Sequence, residues 1–86
     1  MKEFPFKPGQ WYQDNRKKSL VRYITEISRY YVYYVELYQW DKGVMVETSA
    51  VGKGYAKCNW QMKPISRQDG VARFEKATEM LGYICT

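Results

Sequence analysis

The chain contains no histidine, and that absence removes the side chain that most often serves as general base or activates a nucleophile near neutral pH. With histidine missing, its two cysteines fall short of the four ligands that a structural zinc site needs. Phosphate-cradling signatures are missing too: neither G-x-x-x-x-G-K-S/T nor G-x-G-x-x-G occurs, and no acidic pair has a spacing suited to glycosidase work. Gly52-Lys53-Gly54 comes nearest to a phosphate loop, but at three residues it reads more simply as a flexible hairpin end. The expectation is a non-enzymatic protein without cofactor or metal.

Long apolar runs are also lacking. No stretch has the length to span a bilayer, and the first residues carry no secretory leader pattern. A soluble, cytoplasmic protein without membrane contact is therefore expected. Cys58 and Cys85 sit in no recognised motif and read as two free thiols of a reducing compartment, with a disulfide between them as the alternative.

What the chain does have is rings and positive charge. Its 86 residues allow one domain, so the core must be built from large side chains. Residues are 45% hydrophobic and 17% aromatic, including nine Tyr and three Trp, which supplies that core without a disulfide or metal staple. The formal charge is +5, and it is unevenly placed: residues 1–67 hold twelve Lys/Arg and six Asp/Glu, residues 68–86 two and three. A basic excess on one part of a domain attracts polyanions, and it also serves solubility.

Patterning divides the chain into three parts. Residues 1–8 form an extended arm, because Pro5 and Pro8 forbid a helix and leave Phe4 and Phe6 to lie on the core. Residues 9–62 carry the β signal. A short strand at Gly9–Tyr12 is followed by the polar loop Asp14–Ser19, with Arg16, Lys17 and Lys18 in succession. Leu20–Ile27 and Tyr30–Tyr38 are strands, the second with strict period-two alternation. In that segment Tyr31, Tyr33, Val35 and Leu37 form one apolar face, predicted to turn inward. Asp41-Lys42-Gly43 supplies a turn, with Gly43 available for a positive φ, and Val44–Thr48 alternates again. A mobile loop over Ser49–Gly54 and a last strand over Tyr55–Met62, ended by Pro64, complete this part. Residues 66–81 then change to helical period. Ser66 or Asp69 caps the helix, Val71, Phe74, Thr78 and Leu81 form its buried stripe, and Gly82 is its stop, after which Tyr83, Ile84 and Cys85 return toward the core.

The run from Pro8 to Ile27 joins a Gly-led aromatic strand, a basic loop and Val21-Arg22-Tyr23-Ile24. With Tyr31-Val32-Tyr33-Tyr34-Val35 as central strand, it resembles the small barrels of the Src-homology, Tudor and KOW type over residues 8–62. The resemblance implies a mainly β fold: a small five-stranded antiparallel barrel, here followed by one C-terminal α-helix. Domains of that type bind nucleic acid, peptides or proteins. In size and style the chain also resembles short orphan proteins of phage and mobile elements.

Six rings within eleven residues, from Tyr30 to Trp40, are more than one small core can bury, so some must face outward. Exposed rings cover neighbouring strands, form protein interfaces or stack on unpaired bases. Arg16, Lys17, Lys18, Arg22, Lys53 and Lys57 are the candidate phosphate contacts, and Tyr34, Tyr38 and Trp40 the candidate stacking or interface groups. The leading expectation is DNA or RNA binding. The alternative is a protein-interaction module, such as a phage-type modulator docking on a host protein, and a homodimer through the Tyr-rich strand is a third option.

Overall fold

The structure, a computed structural model, describes residues 4–85 of the chain and the side chains from Phe4 to Glu79. Five antiparallel strands form one sheet: β1 (Trp11–Asp14), β2 (Leu20–Ile27), β3 (Tyr31–Trp40), β4 (Gly43–Gly52) and β5 (Met62–Ile65), in the order β4-β3-β2-β1-β5. A short helix α1 (Lys53–Asn59) joins β4 to β5, and α2 (Arg67–Cys85) follows β5. The protein is thus mainly β with a C-terminal helix. It is not a closed barrel, because β4 and β5 lie at opposite edges. Helices layered on the sheet, rather than curling of the sheet, bury its apolar side chains.

Burial alternates along the sheet. On one face Phe6, Tyr12, Ile24, Val32 and Ala56 form a core, capped by α1 and the N-terminal arm, with Phe4, Tyr34, Trp60 and Met62 packed around it. On the other face Val21, Leu37 and Val44 pack against Ala77 of α2, with Trp11, Val46 and Ile65 alongside. The first core lies toward the beginning of β3 and the second toward its end. Hence β3 changes its buried side midway: Val32 is fully buried, whereas Tyr31 and Tyr33 are exposed and only Leu37 of the expected inward face is deeply covered. A single inward face was the wrong inference, because two covering elements share the sheet diagonally. The Tyr-rich strand is also interior rather than an edge.

The arm reaches its core through Gly9, whose φ of 78° is the one positive value among the described residues and whose N–H donates to the Ile24 carbonyl at 2.7 Å. Phe6 then meets Phe4, Tyr12 and Trp60 edge-on at 5.3–5.6 Å. Each large apolar side chain buried in this way contributes about 1.5–3 kcal/mol.

Residues 49–62 differ most from expectation. β4 continues to Gly52, because ten-residue β3 offers partners along its whole length, and residues 53–59 are helix instead of loop and strand. Fully buried Ala56 lets α1 sit close on the sheet. Pro64 lies inside β5, which tolerates it because β5 is an edge strand.

In α2 the Ser66 hydroxyl accepts from the Asp69 N–H at 3.1 Å, a side-chain cap. The covered stripe is Gly70, Val71, Phe74 and Ala77, whereas Thr78 is exposed and bonds back to the Phe74 carbonyl. The helix also runs through Gly82 to Cys85 instead of stopping. The side chains of Leu81, Tyr83, Ile84 and Cys85 lie outside the described residues. Gly70 is a poor helix former in position for a reason: a Cβ there would run into the Trp11 indole, which lies against the helix backbone. Gly70→Ala should therefore destabilise the fold by about 1–3 kcal/mol through overpacking, although alanine is favoured in helices by ~1 kcal/mol. A lowered urea midpoint checks this; a raised midpoint contradicts the Trp11–Gly70 contact.

Candidate functional site

The site is built outward from a buried guanidinium. Arg22 in β2 points into the arm-side face with 9% of its surface accessible. Its Nε donates to Glu36 Oε1 at 3.0 Å, its Nη1 lies 3.6 Å from Asp14 Oδ2, and its plane stands over the Trp60 ring at 4.6 Å. Register explains the cluster: Tyr12 and Glu36 are the direct neighbours of Arg22 on the two adjoining strands, and Asp14 follows two residues after Tyr12 on the same face. A charge this buried is tolerated only when paired on all sides.

Asp14 passes that order to the basic loop. Its Oδ1 accepts the backbone N–H of Arg16 at 2.7 Å and of Lys17 at 3.0 Å. The loop is tied from further sides: Arg73 of α2 donates to the Lys18 carbonyl at 3.0 Å, Gln39 N–H to the Ser19 carbonyl at 3.3 Å, and Arg16 Nη2 to the Asn59 carbonyl at 3.4 Å. The backbone of Arg16–Ser19 is fixed while the side chains of Arg16, Lys17 and Lys18 remain exposed.

Antiparallel pairing puts the start of β2 beside the end of β3, so this loop adjoins the β3–β4 turn. There Tyr38 and Trp40 stack, with centroids 5.7 Å apart and planes at 27°. Lys17 Nζ stands 5.4 Å from the Tyr38 centroid. Asp41 and Lys42 form the two-residue turn, without a positive φ, so Gly43 does not serve the turn as expected. It serves Trp40 instead: a Cβ on Gly43 would come within 3.2 Å of the indole. Ser19, Tyr38, Gln39, Trp40, Asp41 and Lys42 line a shallow open depression. Trp40 is 46% exposed and Met45, opposite Tyr38, is 37% exposed.

Of the residues singled out from sequence, Lys17, Tyr38 and Trp40 are brought together here, while Arg16 and Lys18 share the adjoining loop and the Arg16 side chain reaches toward Asn59. Arg22 and Tyr34 are not available. Arg22 is enclosed by its carboxylates, and Tyr34 packs edge-on against Trp60 at 4.8 Å. Lys53 opens α1 at the other end of the sheet, its ammonium 5.8 Å from the Phe4 ring. Lys57 lines a separate cleft between the arm and β5. Sequence reasoning missed Lys42, which the antiparallel order of β2 and β3 places beside the loop. It also missed exposed Tyr30, Tyr31, Tyr33 and Tyr55 near the beginning of β3, where Arg29 stands over Tyr30 at 5.4 Å.

The Arg22→Ala substitution leaves Glu36 without its cation and Asp14 with only the exposed Arg16, and should cost about 3–5 kcal/mol of stability, read by denaturant unfolding. Lys17→Ala, at an exposed side chain, should shift it by less than about 0.5 kcal/mol. Equal effects of the two would contradict the division between buried support and exposed rim.

No helix among the described residues is long and apolar enough to cross a membrane, and those residues hold no His/Cys/Asp/Glu cluster suited to a metal ion. No protein-family model matches the chain, and neither a curated protein nor a solved structure matches it significantly.

Proposed function

We propose that the protein binds single-stranded nucleic acid at the end of the sheet where the basic loop meets the β3–β4 turn. The observation that carries this reading is exposed Trp40 stacked on half-buried Tyr38 under Lys17, beside the fixed loop of Arg16 and Lys18. An exposed indole held by a ring beneath it offers a platform to an unpaired base, and cations beside it follow the phosphates. A backbone already held by Asp14 and Arg73 loses little freedom when a strand is bound, which favours affinity. Duplex DNA presents no free base face, so single strands are the preferred form.

Gel-shift titrations with short single-stranded DNA and RNA test the reading. Three or four phosphate contacts, from Arg16, Lys17, Lys18 and Lys42, predict a slope of log K against log salt of about −2 to −3. Trp40→Ala should weaken binding by about 1–3 kcal/mol at every salt concentration, and joint replacement of Lys17 and Lys18 by Ala should flatten the slope by about 1.4. Absence of any complex at low salt removes this function.

A second reading, a protein-interaction module of the kind phage modulators represent, is favoured by one observation. Tyr31 and Tyr33 are exposed side by side near the beginning of β3, away from the basic loop, with ring centroids 6.5 Å apart. Tyrosine-rich patches are typical of protein interfaces. Recovery of a partner from nuclease-treated lysate, lost on joint replacement of Tyr31 and Tyr33 by Ala, is the result expected if that surface binds protein.

A further inference from the structure

The two edges of the sheet are built differently. β5 is four residues long and carries Lys63 and Pro64, features that discourage further pairing. β4 is ten residues long, pairs with β3 in continuous register without a bulge, and has neither Pro nor Lys; its one charged side chain is Glu47. Among the described residues no strand pairs with its outer side. The bond from Lys53 N–H to the Tyr30 carbonyl fixes the alternation of that ladder. Odd-numbered residues of β4 turn their N–H and C=O toward β3, and Val44, Val46, Thr48 and Ala50 turn theirs outward.

We propose that a second copy of this chain pairs with this edge, β4 against β4, antiparallel, about a two-fold axis at Thr48. An axis perpendicular to the sheet opposes residues of the same face. Centring on Glu47 sets two carboxylates against each other, which is unfavourable. Centring on Thr48 opposes the two threonines and engages the outward-turned backbone groups. It also matches large to small, with Val46 opposite Ala50 of the copy, Val44 opposite Gly52, and Glu47 opposite Ser49. Tyr31 and Tyr33 lie on the same face beside Gly52 and Ala50, the small residues that Val44 and Val46 of the copy would meet. Pairing would cover the edge side of both rings. No cation lies on β4 to oppose the approach. The product is one continuous sheet made from two of five strands, with both Tyr38–Trp40 stacks on the same face. This inference does not depend on nucleic-acid binding.

Light scattering after size exclusion, across a range of concentrations, tests it. The expected mass tends toward twice the 10.3 kDa of the chain, and Thr48→Lys, with an unchanged circular dichroism spectrum, returns it to one. Register is tested by cysteine trapping with Cys58 and Cys85 replaced by Ser. Directly opposed residues lie ~5.5 Å apart, within disulfide range, so Thr48→Cys should cross-link readily under mild oxidation and Ala50→Cys much less. A single-chain mass at the highest soluble concentration, a dimer indifferent to Thr48→Lys, or equal cross-linking at both positions overturns the proposal.

Discussion

The ion cluster around Arg22 is the constraint on which the remaining structure turns. Three strands contribute to it, β1 through Asp14, β2 through Arg22 and β3 through Glu36, and the Met62 sulfur of β5 accepts from the Arg22 Nη1 at 3.1 Å. A one-residue slip of one strand against the next moves a charge to the opposite face and leaves its partner enclosed and unpaired. Apolar contacts alone discriminate registers weakly in a sheet whose two faces both carry rings. A guanidinium that needs two carboxylates and an indole does so strongly. The same Asp14 carboxylate that meets Arg22 also receives the N–H groups of Arg16 and Lys17, so the position of the surface cations follows from the internal pairing.

Much of the sheet was legible in the sequence. Leu20–Ile27 carries its own β-branched and aromatic pattern, and the alternation in Tyr30–Tyr38 identified β3 to within two residues at its end. Side assignment was not legible, because a strand with rings on both faces satisfies either orientation. Which ring is covered depends on α1, the arm and α2, all distant in sequence. Helix α1 was misread for a related reason. Tyr55–Met62 alternates well enough for a strand, and its true state is set by Ala56 fitting against the sheet after β4 has run to Gly52.

The candidate site was half legible. A run of three cations in a loop and a Tyr-x-Trp spacing at a strand end are visible directly, and two-residue spacing on a strand necessarily puts Tyr38 and Trp40 on one side. Arg22 was misplaced because a charged residue in a strand is most simply read as facing water. Recognising its enclosure required knowing that Glu36 lies directly across from it, a matter of register rather than composition. Lysine 42 was overlooked because its nearness to the loop is created by pairing between β2 and β3.

The β1–β5 ladder has a consequence for how the chain acquires this shape. Trp11 meets the Tyr23 ring across the β1–β2 pair but also pairs with Ile65 and packs on Phe74, so one side chain joins a sequence neighbour to partners far along the chain. The β1–β2–β3–β4 meander can assemble from short connections, whereas the side of the Trp11 indole turned to Phe74 stays uncovered until β5 and α2 have docked. Closure of that long loop carries an entropic cost that the short connections of the meander avoid.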